Sequence, residues 1–331
     1  MKIFVTGASG YIGNKLAHAL ANRGNKVHAF IHSPGSEKLL QHPNISVFTG
    51  DILDQESLSA AMKECRQVYH TAGIVKLWAK NADVFYKQNV AGTNNVLETA
   101  LKEGVGKFVF TSTCGVWGPS KDHLLIESDP RTTSFDNDYD LSKYLAEKSV
   151  KEYCSKGLFT VIVNPPRVYG PGLPRQSSGV NRLILHLINK KISTMPWHLE
   201  VRANYAFIDD VVNGHILAME NGLGGERYIL GGENISYKRF METVKGVAKT
   251  KNICIRVPPF LLKAFSQVEL ARGRLNGHEP LITPNITKRM QLDKIFDCSK
   301  AIRQLGYQIT PFEEGMKITI DDLKNKQHEQ Q

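Results

Sequence analysis

The sequence predicts an α/β fold, a doubly wound parallel sheet in the first half of the chain followed by a smaller C-terminal part. Two observations predict it. Short β-branched and aromatic runs alternate with stretches of helical periodicity, as strands and helices do in a parallel sheet. A glycine-rich turn also separates the first of these runs from the first helical stretch.

The N-terminal element has the form strand, glycine turn, helix. Residues 2–6 are a strand-like run, and residues 14–23 have helical apolar spacing. Between them Gly7 can take the tight turn, Gly10 lets the backbone approach a pyrophosphate, and Gly13 lets the helix pack close to the strand. Free N–H groups at the helix start would then face the anion, so this turn predicts a nucleotide-binding site.

Further strands and helices follow in alternation. The runs that predict short buried strands are residues 26–31, 45–49, 67–70, 107–111 and 159–164. The stretches with helical periodicity are residues 55–64, 82–103 and 141–155.

Beyond Asn164 the prolines and glycines of residues 165–174 mark a break. We therefore predict a first domain over residues 1–164 and a second over residues 165–323. Segments near 202–232 are expected to return to the first domain, and residues 324–331 form a polar tail.

Composition narrows the class of protein. The chain has 331 residues and a formal charge of +10, but its basic residues are dispersed, so an anionic ligand is expected rather than a nucleic-acid groove. The first strand begins at residue two and no apolar run reaches spanning length, which predicts a cytoplasmic protein without an integral membrane segment. Five scattered cysteines and eleven histidines show no metal-binding spacing.

Tyr139 and Lys143 form a Tyr-x-x-x-Lys pair downstream of the glycine turn. A phenol with a pKa of about 10 transfers protons poorly at neutral pH unless a nearby cation stabilises its ionised form. On a helix, a lysine four residues later lies on the same face as the tyrosine. The pair is thus a candidate acid–base centre, although such pairs also occur on solvated helix faces.

The glycine spacing Gly-x-x-Gly-x-x-Gly after Thr6 resembles that of the extended short-chain dehydrogenase/reductase superfamily. This superfamily has a dinucleotide-binding Rossmann domain and a smaller substrate-binding domain. It includes nucleotide-sugar epimerases, dihydroflavonol reductases and 3β-hydroxysteroid dehydrogenases. The resemblance continues along most of the chain, in the segments at residues 50–52, 70–73, 89–93, 109–113, 139–143, 164–172 and 207–211.

The resemblance implies roles for individual residues. Tyr139 would be the proton donor or acceptor, and Lys143 would lower its pKa and bind the nicotinamide ribose. A hydroxyl after the strand at residues 107–111 would polarise the carbonyl, and either Thr113 or Ser112 could supply it. The implied cofactor contacts are Gly7, Ser9, Gly10, Tyr11, Ile12, Gly13, His32, Lys38, Asp51, Ile52, Thr71, Ala72, Gly73, Asn89, Thr111, Lys143, Pro166 and Val168.

The second strand bears on the choice of cofactor. An NAD site usually places a carboxylate at the end of this strand, where it accepts both ribose hydroxyls. Ile31 stands there instead, and His32, Ser33 and Lys38 could meet a 2′-phosphate. NADP is therefore the expected cofactor, with NAD as the alternative.

Two features bear on the substrate. Nucleotide-sugar members carry a diphosphate-holding arginine seven residues before the position of Asp210, and this chain has Ala203 there with Arg202 beside it. The apolar stretch at residues 258–275 resembles the dihydroflavonol reductase-like branch; it could be a lid, a homodimer face, a membrane-surface patch or part of the core.

We therefore predict a reductase or dehydrogenase acting on a fairly apolar small carbonyl or alcohol compound. A nucleotide-sugar epimerase or dehydratase is the first alternative. A non-catalytic protein that only senses the dinucleotide is the second, although it would need neither Tyr139 nor Lys143.

Overall fold

A computed structural model describes residues 1–76, 78–172, 179–277 and 279–328. Its main sheet has seven parallel strands in the order β10-β6-β5-β4-β1-β2-β3. These strands are β1 (Lys2–Thr6), β2 (Lys26–Ile31), β3 (Ile45–Thr49), β4 (Gln67–His70), β5 (Lys107–Thr111), β6 (Thr160–Asn164) and β10 (Arg227–Ile229). The predicted doubly wound parallel sheet is confirmed.

Helices cover the sheet and connect its strands. Those of the first half are α1 (Tyr11–Asn22), α2 (Gln55–Met62), α3 (Asp83–Phe85), α4 (Gly92–Lys102) and α5 (Asp138–Ser155). Those of the second half are α6 (Gly179–Asn189), α7 (Ile208–Asn221), α8 (Tyr237–Ala248), α9 (Pro259–Asn276), α10 (Pro284–Arg289), α11 (Ser299–Leu305) and α12 (Phe312–His328).

Two small sheets lie in the second half of the chain. One has three strands in the order β11-β9-β7, and the other pairs β12 with β8. Their bounds are β7 (Arg167–Tyr169), β8 (Ile192–Pro196), β9 (Arg202–Phe207), β11 (Glu233–Ser236) and β12 (Ile253–Val257). Within the region near 202–232, whose segments were expected to return to the first domain, β10 joins the main sheet, whereas β9 pairs with β7 and β11. The division into domains stays a prediction.

Two helices begin three residues before the predicted start. Helix α1 begins at Tyr11 because Gly10, in an extended conformation, is its N-cap, so the last glycine of the turn lies inside the first helical turn. Because the intrinsic helix propensity of glycine is low, the sequence did not predict that the helix includes this first turn. Helix α5 begins at Asp138, after Asn137, whose side chain accepts a hydrogen bond from the backbone N–H of Asp140 at 2.7 Å.

The stretch predicted as one helix over residues 82–103 contains a π-helical segment, Tyr86–Ala91, between α3 and α4. A π-helical turn has one residue more per hydrogen-bonded ring than an α-helix, and such turns are frequent at functional sites. Here the segment carries Asn89, which is fully buried.

The strand order reverses at the neighbouring strands β1 and β4. In open α/β sheets, ligands bind in the crevice outside the carboxyl ends of the strands at such a reversal. The glycine turn follows β1 and residues 71–73 follow β4. The fold therefore places the candidate site at this edge.

Candidate active site

A cleft lies at the carboxyl edge of the main sheet. Most of the predicted site residues line it: Gly7, Gly10, Tyr11, Ile12, Gly13, Thr71, Ala72, Gly73, Thr111, Ser112, Thr113, Tyr139, Lys143, Pro166 and Val168. Ile74, Val75 and Pro165 line it as well, and the sequence had not indicated them. The structure thus brings the glycine turn and the Tyr-x-x-x-Lys pair together in one cleft.

The glycine turn is packed too tightly for side chains. Gly7 has φ +66°, and a Cβ there would lie 2.7 Å from the backbone N of Ala72. A Cβ at Gly13 would lie 2.3 Å from the carbonyl oxygen of Gly7. Helix α1 has neither a side-chain cap nor an acidic residue in its first turn. Its N–H groups are therefore open to an anion, and this backbone fits a pyrophosphate.

Buried hydrogen bonds hold the ends of β1 and β4 together under the cleft. His70 contacts the Thr6 hydroxyl through Nδ1 at 2.6 Å and the Thr93 hydroxyl through Nε2 at 2.9 Å. Burial, with a smaller effect of Lys143, lowers the pKa of His70 to about 3, so the ring is neutral. Thr71 donates to the carbonyl oxygen of Thr6 at 2.7 Å, which fixes the cleft-lining residues after β4.

Tyr139 and Lys143 lie on the first two turns of α5. Burial lowers the pKa of Lys143 to about 7, although Glu147 acts in the opposite direction. The Lys143 Nζ lies 4.1 Å from the centroid of the Phe110 ring. Within the described ranges this ammonium forms no ion pair with a carboxylate and donates no hydrogen bond. Its charge is thus available to a ligand in the cleft.

Burial raises the pKa of Tyr139 above its usual value, and Asp140 adds to this, whereas Thr113 and Arg289 oppose it. Lys143 is not among the groups that act on Tyr139. The expected lowering of the Tyr139 pKa by Lys143 therefore stays a prediction for the protein with its cofactor bound.

Thr113 and Ser112 differ in their surroundings. Thr113 interacts with the Tyr139 side chain, and its hydroxyl accepts a hydrogen bond from the backbone N–H of Gly115 at 3.1 Å, capping the short turn Cys114–Val116. The Ser112 hydroxyl is buried and has no hydrogen-bond partner in the described part of the chain. Thr113 is thus the hydroxyl that lies beside Tyr139, and it also has a capping role.

Asn89 does not line the cleft but connects two of its walls. Its side-chain oxygen accepts from the backbone N–H of Ile74 at 2.8 Å, and its Nδ2 donates to the Ser142 hydroxyl at 2.9 Å. Ser142 in turn donates to the carbonyl oxygen of Tyr139 at 2.8 Å. The π-helical segment thus fixes the start of α5, and the cofactor contact predicted for Asn89 stays a prediction.

The other predicted cofactor residues lie beyond the cleft. Asp51 and His32 follow the neighbouring strands β3 and β2, with His32 Nδ1 3.9 Å from an Asp51 carboxylate oxygen. Lys38 is exposed in the short turn Glu37–Leu40, and Ser9 lies within the glycine turn. Ile52 is buried in the core against Gly92, and the cofactor contact predicted for it stays a prediction.

Arg202 and Ala203 lie on opposite faces of β9. Arg202 is half exposed, and its guanidinium donates twice to Asp293, at 2.7 and 2.9 Å. Ala203 is buried. Since successive side chains of a strand alternate between faces, Arg202 cannot replace an arginine at position 203 without a register shift.

Most of the large apolar side chains of α9 are exposed. Phe260 is 69% exposed, Val268 57% and Leu275 80%, while the buried residues of this helix are Ser266, Glu269 and Gly273. The alternative that these apolar side chains are part of the core is therefore wrong. The lid, the homodimer face and the membrane-surface patch stay open.

A model of the NAD-dependent epimerase/dehydratase family matches residues 3–231, more than half of the chain. The chain belongs to the NAD-dependent epimerase/dehydratase family. This family lies within the extended short-chain dehydrogenase/reductase superfamily, so the resemblance drawn from the sequence is confirmed.

Similar proteins of this family include several oxidoreductases by name. The chain is 29% identical to a "Putative dihydroflavonol 4-reductase" of Synechocystis sp., over 97% of this chain and 94% of that protein. It is 26% identical to a 3 beta-hydroxysteroid dehydrogenase/Delta 5-->4-isomerase of Mycobacterium tuberculosis, over 93% of this chain and 86% of that protein. It is 27% identical to a "Sterol-4-alpha-carboxylate 3-dehydrogenase, decarboxylating" of Mus musculus, over 97% of this chain and 91% of that protein.

The fold is shared with nucleotide-sugar enzymes. A Thermus thermophilus UDP-glucose 4-epimerase in complex with NAD superposes with a TM-score of 0.79 at 22% identity, over 98% of this chain and 99% of that one. At this identity the likeness concerns the fold. Across the described residues, no helix combines the length and the apolar character that crossing a membrane requires.

Proposed function

We propose that this chain is an oxidoreductase that transfers a hydride between a nicotinamide dinucleotide, preferably NADP, and a carbonyl or alcohol group of a small substrate. The observation that carries this proposal is the cleft itself. It combines a side-chain-free glycine turn at the start of α1 with Tyr139, Lys143 and Thr113. The proposal is supported by relatives that are named reductases or dehydrogenases and that match nearly the whole chain.

Each group in the cleft has a defined task. The bound nicotinamide supplies or accepts the hydride. The backbone N–H groups at the start of α1 hold the pyrophosphate. Lys143 binds the nicotinamide ribose, and Thr113 donates a hydrogen bond to the substrate oxygen. Tyr139 gives this oxygen a proton during reduction and takes the proton during oxidation.

Epimerase or dehydratase chemistry is the alternative, because the fold is shared with a UDP-glucose 4-epimerase. Ala203 argues against it, since the chain lacks the arginine that would hold a diphosphate at this position. A non-catalytic sensor would leave Tyr139 and Lys143 unexplained.

A substrate screen tests the proposal. Ketones, aldehydes, alcohols and nucleotide sugars are offered to the full chain with each cofactor while the nicotinamide absorbance is followed. We expect net oxidation or reduction with a carbonyl or alcohol compound. Conversion of a nucleotide sugar without net change in absorbance would favour the epimerase.

Cofactor affinity should depend on pH through Lys143. Because burial lowers the pKa of this lysine to about 7, the ammonium is charged below that pH and largely neutral above it. Contact with the bound cofactor favours the charged form, so NADH should bind more weakly as pH rises from about 6 to about 9. Fluorescence titration measures this. NADH is used because it has no 2′-phosphate that titrates.

Lys143→Met should bind NADH more weakly at low pH and show a nearly flat pH profile. A flat profile in the unmodified protein would exclude Lys143 as the titrating contact.

NADPH should bind more tightly than NADH, and the difference should narrow as salt screens the 2′-phosphate contact. Ile31 is buried in the core, so a carboxylate there would also cost desolvation. His32 is exposed at the strand end, and His32→Asp should reduce or reverse the preference. The carboxylate of Asp51, close to His32, would repel a 2′-phosphate. If the unmodified protein binds NADH more tightly than NADPH, the NADP assignment is wrong.

A further inference from the structure

The sequence did not connect three basic residues, Arg167, Arg289 and Lys294, with the site. They are not among the cleft-lining residues, but Arg167 stands between two that are, Pro166 and Val168. The three-stranded sheet positions two of them. In the β7–β9 register Arg167 is opposite Tyr205, and an isolated bridge pairs Ala203 with Lys294. Directly paired residues share a sheet face, as do residues two apart on one strand. Arg167 and Lys294 therefore lie on the sheet face that carries Ala203 and Tyr205.

Arg167 has aromatic surroundings on this face. Its guanidinium donates to the hydroxyls of Tyr205 at 3.1 Å and Tyr237 at 3.3 Å, and its Cζ lies 5.6 Å from the centroid of each ring. Among the described residues, Arg167 forms no ion pair with a carboxylate. Glu233, which is opposite Tyr205 on the other side of β9, pairs with Arg239 and accepts from the backbone N–H of Phe312.

Arg289 connects this face with the reaction centre. Its Nη1 lies 2.9 Å from Oδ2 of Asp140, the residue after Tyr139 on α5. Arg289 is also one of the groups whose charge acts on Tyr139. The basic cluster therefore reaches the residue that follows Tyr139 on α5.

The cluster has more positive than negative charge. Its acids are Asp140, which pairs with Arg289, and Asp136, which lies 3.7 Å from Lys288. Within the described ranges Lys294 has no ion pair, and its Nζ makes no hydrogen bond. Burial, together with the nearby charges of Arg289, Arg167 and Arg131, lowers the pKa of Lys294 to about 7, although Asp140 acts in the opposite direction. Arg131 donates to backbone carbonyl oxygens, including those of Gly115 and Thr133.

We infer that Arg167, Lys294 and Arg289 bind an anionic group of the substrate, a carboxylate, while Tyr139 acts on the carbonyl or hydroxyl of the same molecule. This inference rests on the proposed function and names its substrate class: oxo or hydroxy acids with an apolar body. A carboxylate fits better than a diphosphate, because Arg289 is already paired with Asp140 and position 203 has no arginine.

Binding of decanoate and of its uncharged methyl ester to the full chain tests the inference by calorimetry. Decanoate should bind about tenfold or more tightly than the ester, and added salt should reduce the difference. Lys294→Met and Arg167→Met should each weaken decanoate binding about tenfold and change ester binding little. Lys294→Arg, which keeps the charge, should retain most of the affinity. Lys102→Met removes a charge at a side chain that is 63% exposed on α4 and should leave decanoate binding unchanged.

Equal binding of acid and ester, or equal losses for both ligands in Lys294→Met, would overturn the inference. UDP is titrated in parallel. UDP binding tighter than decanoate binding and lost in both methionine variants would assign the cluster to a diphosphate and favour the epimerase.

The inference and the proposed function can fail separately. Selective decanoate binding without reduction or oxidation of any carbonyl or alcohol compound would preserve the anion site and refute the oxidoreductase. Turnover of neutral ketones without preference for acids would preserve the oxidoreductase and refute the anion site.

Discussion

Tyr139→Phe should lower kcat by about a hundredfold to ten-thousandfold, the usual contribution of a positioned general acid or base. The substitution removes only the hydroxyl that protonates or deprotonates the substrate oxygen. Cofactor affinity should stay nearly unchanged, because the implied ribose contact belongs to Lys143. Steady-state kinetics with a substrate found in the screen, together with cofactor titration, measures both quantities.

Tyr144→Phe is the matched control for this substitution. Tyr144 lies on the same helix, its ring packs against Phe135 at 5.3 Å between centroids, and it is not among the residues that line the cleft. The activity of the Tyr144→Phe variant should equal that of the unmodified protein. If Tyr139→Phe retains more than about a tenth of the activity, Tyr139 is not the general acid or base.

Gly13→Ala should impair both folding and cofactor binding. The added Cβ would lie 2.3 Å from the Gly7 carbonyl oxygen and 2.5 Å from the Thr71 hydroxyl oxygen, so the start of α1 must move. Overpacking of this kind costs about 1–3 kcal/mol of the free energy of unfolding. Displacement of the N–H groups should also weaken cofactor binding about tenfold or more, since each hydrogen bond to a charged group contributes about 1.5–3 kcal/mol. Denaturant unfolding and cofactor titration measure the two effects.

Gly246→Ala provides the comparison. Gly246 lies within α8, and a Cβ there would meet no heavy atom within 4 Å. Replacing an exposed helical glycine with alanine should raise the free energy of unfolding by about 0.5–1 kcal/mol and leave cofactor binding unchanged. If Gly13→Ala behaved like Gly246→Ala, the close packing of the glycine turn would not be needed for binding.

Local patterns predicted the main sheet accurately. The predicted bounds of β1 to β5 match the observed ones, and β6 begins one residue later than predicted. These strands are short and apolar, and turn residues bound most of them, so neighbouring positions contain the needed information. Patterns failed where a helix start depends on a cap, as at Asn137, or on glycines, as at Gly10 and Gly13.

The environments of the catalytic residues could not be predicted from the Tyr-x-x-x-Lys spacing. That spacing places Tyr139 and Lys143 on one helix face, but their pKa values depend on burial and on side chains from other elements. Burial lowers the pKa of Lys143 to about 7 and raises that of Tyr139 above its usual value. The apolar residues of α9 illustrate the same limit, since several of them are exposed whereas Ser266, Glu269 and Gly273 are buried.

By itself, the sequence determined the parallel sheet, the glycine turn after β1 and the pair Tyr139 and Lys143, because each is encoded within a few consecutive residues. Only the tertiary structure decided that Arg167 and Lys294 share a sheet face and that Arg289 pairs with Asp140, the residue after Tyr139. Their proximity depends on the pairing of β7 with β9, the bridge from Ala203 to Lys294 and the ion pair of Arg289 with Asp140. These contacts join residues far apart in the chain, and they form only when the whole fold brings the segments together.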